Sequence, residues 1–160
     1  MRTGGCVADG AKVFPVLIRA VAVLRAGEWQ GAAGGQVTLD FDHRFRRRLR
    51  FTTASGAEIL LDLPEAVHIR DGDALALEDG TLVAVIAAPE DLLEIRTENA
   101  DMLARLAWHL GNRHLGVQFL PGALRILNDH VIGAMVLQLG GQAQKVSVPF
   151  DPESGAYHHG

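Results

Sequence analysis

Five of the seven histidines fall in the last third of the chain. His109 and His114 lie in Trp108-His109-Leu110-Gly111-Asn112-Arg113-His114, His130 in Asn128-Asp129-His130, and His158 with His159 in the closing Tyr157-His158-His159-Gly160. Imidazole is the commonest side-chain ligand for divalent transition metals, and its neutral form suits Ni, Zn and Cu. The spacing is sparse, with no CxxC, no HExxH and no dense Cys/His cluster. A closed structural site wants four good ligands. His114 alone cannot hold an ion tightly. Two copies across a symmetric dimer could, because a residue near a two-fold axis meets its own image. Such a site would be open, moderate in affinity and able to release its ion, as a carrier requires.

Each candidate also has a plainer reading. His109 sits inside a helical pattern beside Trp108, where packing or a hydrogen bond explains it. His114 follows the helix end and reads either as a presented ligand or as an ordinary loop residue. His130 adjoins Asp129, which is either an orienting carboxylate or the cap of the next helix. His158 and His159 can bind a divalent ion weakly on any fold. Catalysis has thin support: there is no GxSxG, no P-loop and no nucleophile–base–orienter set. Cys6 is the single cysteine, so no intrachain disulfide exists, and it reads as an incidental thiol or a metal ligand.

The elements that must position these residues follow from length and pattern. At 160 residues the chain fits one domain or two small ones, and 48% apolar residues suffice for a core. A net charge of −4 argues against a globally basic nucleic-acid surface. No run of about 18 apolar residues is present, and Lys12, Pro15 and Arg19 interrupt the N-terminal apolar run, so neither a transmembrane helix nor a signal peptide is expected. The expectation is a soluble cytoplasmic protein.

Residues 1–15 read as a flexible tail. Residues 16–88 read as short strands with turns every 8–12 residues, an all-β unit. A strand covers Val16–Arg25 and a loop Glu28–Gln36, and a strand restarts at Val37. Arginines at 44, 46, 47, 48 and 50 alternate with Phe45, Leu49 and Phe51 over His43–Phe51. That stretch reads as an anion- or partner-binding patch or as an edge strand kept soluble by charge. Turns at Ala54–Glu58 and Asp79-Gly80 make two hairpins. After Pro89 the rhythm changes. Strand Leu92–Arg96 leads to a helix capped by Asn99, with Met102, Leu103, Leu106, Ala107 and Leu110 on one face and Gly111 as its αL stop. Strands Leu115–Leu120 and Ala123–Leu127 flank Pro121-Gly122. Asp129 caps a second helix that Gly140-Gly141 stops, and Lys145–Phe150 is the last strand. The order β-α-β-β-α-β over 89–150 is the ferredoxin-like split motif, two helices on one face of an antiparallel sheet. Residues 151–160 read as a flexible, His-containing tail.

The segment Trp108–His114 resembles the signature of the UreE-type urease accessory proteins. The run Leu124-Arg125-Ile126-Leu127-Asn128-Asp129-His130-Val131-Ile132 and the ending Pro149–Gly160 are similar to that family too. The resemblance is strong over about residues 90–160 and rests in the N-terminal half on domain order and the Asp71-Gly72-Asp73 and Asp79-Gly80 turns. It implies an α+β fold: an N-terminal all-β, peptide-binding-like domain and a C-terminal ferredoxin-like metal-binding domain. It implies a non-enzymatic nickel metallochaperone that delivers Ni²⁺ to the urease apoprotein as a homodimer joined through the C-terminal domain, with the urease accessory GTPase as partner. Neither nucleic acid nor membrane is implied. His114 matches the family's shared nickel ligand, one from each protomer, and His158 and His159 match supplementary ligands. Where some members carry His-x-His, this chain has Asn128 and His130, and asparagine is a poor transition-metal ligand. Imidazole ligands also admit Zn²⁺ and Cu²⁺. The rival reading is a peptide- or protein-binding adaptor whose histidines are incidental and whose contact is the Arg44–Arg50 cluster; a third, an RNA-binding module, has little aromatic support.

Overall fold

The computed structural model describes residues 17–153. The expected tail 1–15, Cys6, His158 and His159 lie outside the described residues. Thirteen elements follow in two groups. The first holds β1 (Ile18–Leu24), β2 (Gly35–Leu39), α1 (Phe41–Arg44), β3 (Arg48–Thr52), β4 (Glu58–Asp62), β5 (Ala74–Leu77) and β6 (Leu82–Ala87). The second holds β7 (Pro89–Arg96), α2 (Ala100–Asn112), β8 (Gln118–Leu120), β9 (Ala123–Leu127), α3 (His130–Gln138) and β10 (Gln142–Pro149).

The six N-terminal strands form one sheet in the order β2-β6-β5-β1-β4-β3. The expected hairpins β3–β4 and β5–β6 are antiparallel, whereas β1 runs parallel to β4 and β2 parallel to β6. Gly80, at φ 85°, makes the tight turn between β5 and β6, and Asp79 supports it by accepting the Thr81 N–H at 2.9 Å. The sheet curls: the Ala54 N–H, just past β3, donates to the Gln36 carbonyl in β2 at 2.9 Å, so the two edge strands approach each other. Alternate side chains then enclose one core of Ala20, Val37, Ile59, Leu61, Ile69, Leu75, Val83 and Val85.

Only part of the arginine-rich stretch is the edge strand that one of its two readings gave. Asp40 accepts the His43 N–H at 2.9 Å and starts a helical turn, so 41–44 coil before β3 begins at Arg48. The strand that follows is an edge, as its charges suggested. Asp42 pairs with Arg46 at 2.5 Å, Asp62 with Arg48 at 3.5 Å and Glu58 with Arg50 at 3.3 Å. Local carboxylates therefore match these charges. Arg44 points the other way and is fully buried.

The second sheet has the order β10-β7-β9-β8 with every neighbour antiparallel, which is the ferredoxin-like arrangement. Leu93, Ile95, Leu124 and Ile126 face the two helices, which return Leu106, Leu110, Ile132 and Val136. The opposite face carries Glu94 between Arg96 and Arg125, and hydrogen bonds from these two guanidiniums hold its carboxyl below the usual carboxylate range. β7 and β10 are longer than the pattern suggested and pair over eight residues, from Gln142 opposite Arg96 to Pro149 opposite Pro89. β8 is shorter, because Val117 pairs with Glu153 instead of β9. Of the expected tail, residues 151–153 thus lie against the body of the protein. No helix among the described residues is long and apolar enough to cross a membrane.

The two sheets meet at a joint built from α1. The Phe41 N–H donates to Glu90 at 2.9 Å, and the Phe41 ring stands edge-on to His68 at 5.2 Å and to Phe150 at 5.6 Å. Arg44 donates to the carbonyls of Ile69 and Phe150.

Candidate metal site

His114 is placed by the end of α2. Asn99 opens this helix by accepting the Met102 N–H at 2.8 Å. Leu106 and Leu110 anchor it on the sheet, fully buried. The helix does not stop at Gly111, which lies within it. It ends at Asn112, with Arg113 as its C-cap. The Leu115 N–H donates to the Leu110 carbonyl at 3.4 Å and the His114 N–H to the Gly111 carbonyl at 3.0 Å, the 6→1 and 5→2 bonds of a Schellman motif. Leu115 packs on the same core as Leu110, as that motif favours. Its left-handed position is occupied by His114, at φ 57°, the only described non-glycine residue with positive φ. A side chain there costs about 1–2 kcal/mol relative to right-handed backbone. Such conformations gather at functional sites because the surrounding structure must hold them in place. The motif turns an exposed imidazole out from the helix end.

The other candidates separate from it. His109 is half-buried within α2, with its ring edge-on to Trp108 at 5.1 Å. His130 is the exposed first residue of α3. Asp129 does not orient it: its Oδ1 accepts the N–H groups of Val131 and Ile132 at 2.8 and 3.1 Å, as a helix cap. Among the described residues no three of His, Cys, Asp and Glu gather around a point that could hold an ion. The chain's last described residues return to the loop after His114. Glu153 N–H donates to the Val117 carbonyl at 2.9 Å.

Two residues at the joint were not singled out from the sequence for what they do. His68 packs between Phe41 and Phe45, with Nε2 3.2 Å from Asp151 Oδ1. Burial holds its pKa below the usual imidazole range; Asp151 opposes this, and Arg44, Arg70 and Arg25 add to it. Burial likewise lowers the pKa of Arg44. For Arg44 a local signal existed: Phe41, Arg44 and Phe45 stand at helical spacing after a capping aspartate. For His68 no local signal existed, since its partners are 27 and 83 residues away.

Comparison with known proteins gives the setting. A family model described as "UreE urease accessory protein, N-terminal domain" matches residues 16–88, and one described as "UreE urease accessory protein, C-terminal domain" matches residues 90–160. The chain belongs to the UreE urease accessory protein family. It is 55% identical over 141 residues to "Urease accessory protein UreE" of Bradyrhizobium sp. (strain ORS 278), covering 88% of this chain and 67% of that protein. It is 54% identical to the protein of the same name from Rhodopseudomonas palustris (strain HaA2), covering 88% and 66%. With that of Rhodobacter capsulatus it shares 48% identity over 89% of this chain and 88% of that one. The chain thus spans about two thirds of the length of the first two relatives. UreE proteins are accessories to urease and not urease itself, and the chain's role lies in urease maturation. Both UreE domains are β-rich here, and His114, just past the end of α2, and His130, the first residue of α3, belong to the C-terminal one.

Proposed function

We propose that this chain is a nickel carrier for assembly of the urease active site, working in the cytoplasm as a homodimer joined through its C-terminal domain, with the urease accessory GTPase and the urease apoprotein as partners. We divide it into an N-terminal unit, 16–88, and a metal-binding unit, 89–150. The primary site is one His114 from each protomer, with His158 or His159 closing over the ion and His130 as a weaker outlying ligand. One observation supports this above the rest: His114 occupies the left-handed position of a Schellman motif, where glycine would cost less backbone strain. Reach supports the tail ligands. His158 is five residues beyond Glu153, at most about 17 Å extended, and Val117, which Glu153 pairs with, is three residues from His114, at most about 10 Å.

A few exposed imidazoles bind Ni²⁺ when neutral and lose it to protons or to a better-furnished site on a partner, because protons compete for the same nitrogen. Cu²⁺ should bind the same ligands more tightly. Nickel titration by calorimetry, with mass measured in solution, tests the assignment. The expected result is one tight ion per two chains, lost in His114→Ala. Unchanged affinity and stoichiometry in that variant would sink it.

A further inference from the structure

The two edge strands of the second sheet are β8 and β10. β8 has three residues, whereas β10 has eight and pairs with β7 in unbroken register. Among the described residues no strand lies beyond β10. A long, flat edge is a template for another strand unless bulges, charges or a covering element blunt it. β10 has no bulge, and Lys145 is the only charge in Gln142-Ala143-Gln144-Lys145-Val146-Ser147-Val148-Pro149.

A pair of prolines fixes which residues face outward. In an antiparallel pair, opposed residues alternate between exchanging both N–H···O bonds and exchanging none. Pro149 lies opposite Pro89, and neither has an N–H to give. That pair is therefore unbonded, and the bonded ones are Val148 with Glu90, Val146 with Leu92 and Gln144 with Glu94. Ala143, Lys145 and Ser147 turn their N–H and C=O groups away from β7. Their side chains share the sheet face of Leu93 and Ile95, which is the face toward the helices. α3 leaves part of this face open. Between α3 and β10 lies a groove of about 540 Å³, lined with little bulk by Leu93, Gly133, Ala134 and Ala143 and with Leu137 standing 62% exposed. Lys145 lines it as well, and among the described residues no carboxylate pairs with it.

We propose that this edge docks an extended segment of a partner protein, added to β10 as a further strand, with apolar side chains in the groove and a carboxylate opposite Lys145. Backbone bonds at 143, 145 and 147 supply affinity, and the alternate side chains supply selectivity. Lys145 decides the occupant. An uncharged strand would cover its ammonium without giving it a partner, which is costly. A second copy of β10 brings no carboxylate, since the strand contains none. With both helix layers on one side, its two longest registers also set Lys145 opposite or diagonal to its own image, where like charges repel. The proposal is independent of the metal and of His114.

Amide exchange of the free protein tests the ladder first. Ala143, Lys145 and Ser147 should exchange about ten-fold or more faster than Gln144, Val146 and Val148. The opposite alternation overturns the proposal. The probe is then a capped peptide of about seven residues that alternates valine with threonine and carries a central glutamate on the valine face. Titrated at millimolar concentration into the full chain, it should protect the amides of Ala143, Lys145 and Ser147. Replacing its glutamate by lysine should weaken binding about three- to ten-fold, and Lys145→Glu should reverse the preference. Ser147→Pro removes one outward N–H and leaves the β7 ladder whole, so it should weaken binding by about three- to ten-fold. No protection along β10, or equal binding of the two peptides by the native chain, overturns the proposal. So does a doubled mass in solution that Ser147→Pro abolishes, which would give the edge to a second copy. Should Ser147→Pro fail to fold, the charge exchange at Lys145 still decides.

Discussion

At His114 the proposed nickel chemistry and a backbone cost fall on one residue. Its imidazole is exposed, and its φ of 57° is one that glycine adopts freely. Stability and binding should therefore respond in opposite directions at this position. His114→Gly should fold about 1 kcal/mol more stably than His114→Ala, because alanine keeps the Cβ in the left-handed region. Both should lose the nickel site. Urea midpoints and calorimetry on the two variants check this, and equal stabilities would mean that the turn is not strained. From sequence, Gly111 looked like the helix stop, since glycine commonly fills that role. It is not the stop, because Leu115 must reach the core beside Leu110, and only a helix running on to Asn112 brings it there.

At the scale of elements, the capping signals performed well. Asn99 and Asp129 both cap the helices they were expected to cap. Asp129→Ala should cost about 1 kcal/mol, lowering Tm by about 2–4 °C, whereas His130→Ala should shift Tm little because that side chain is exposed. A thermal melt of each separates the roles; a larger loss from His130→Ala would give the imidazole the structural part instead. Alternation of apolar residues located the strands, and the β-α-β-β-α-β order predicted the second sheet's topology. The edge-strand reading of the arginine stretch fails from His43 to Arg47 because charge alternation hid the short helix begun by Asp40. The Arg44–Arg50 cluster then loses its appeal as a partner patch: Arg46, Arg48 and Arg50 each face a carboxylate, and Arg44 is buried.

The joint between the two sheets belongs to the whole molecule. His68 is held neutral there by burial. Its folded pKa is depressed below the open-chain value of about 6.5, so below that pH the unfolded chain binds more protons than the native one. The neutral joint is at full strength above about pH 6.5, and stability should drain away as pH falls below it. His68→Gln should flatten this limb between about pH 6.5 and 5 in urea midpoints measured across pH. An unchanged slope would assign the acid sensitivity to other groups.

Local rules were enough to read the α+β architecture and the helix caps and to single out His114 as a candidate, because each depends on residues a few positions apart. They could not reveal the curl that brings Ala54 to Gln36, the burial of Arg44 or the company kept by His68. Nor could they show that Asp151, Pro152 and Glu153 lie along the loop after His114. Those features join residues 18 to 106 positions apart. They exist only once two sheets have packed on each other, since the energy that buries a guanidinium or seats residues 151–153 comes from surfaces that no single segment possesses.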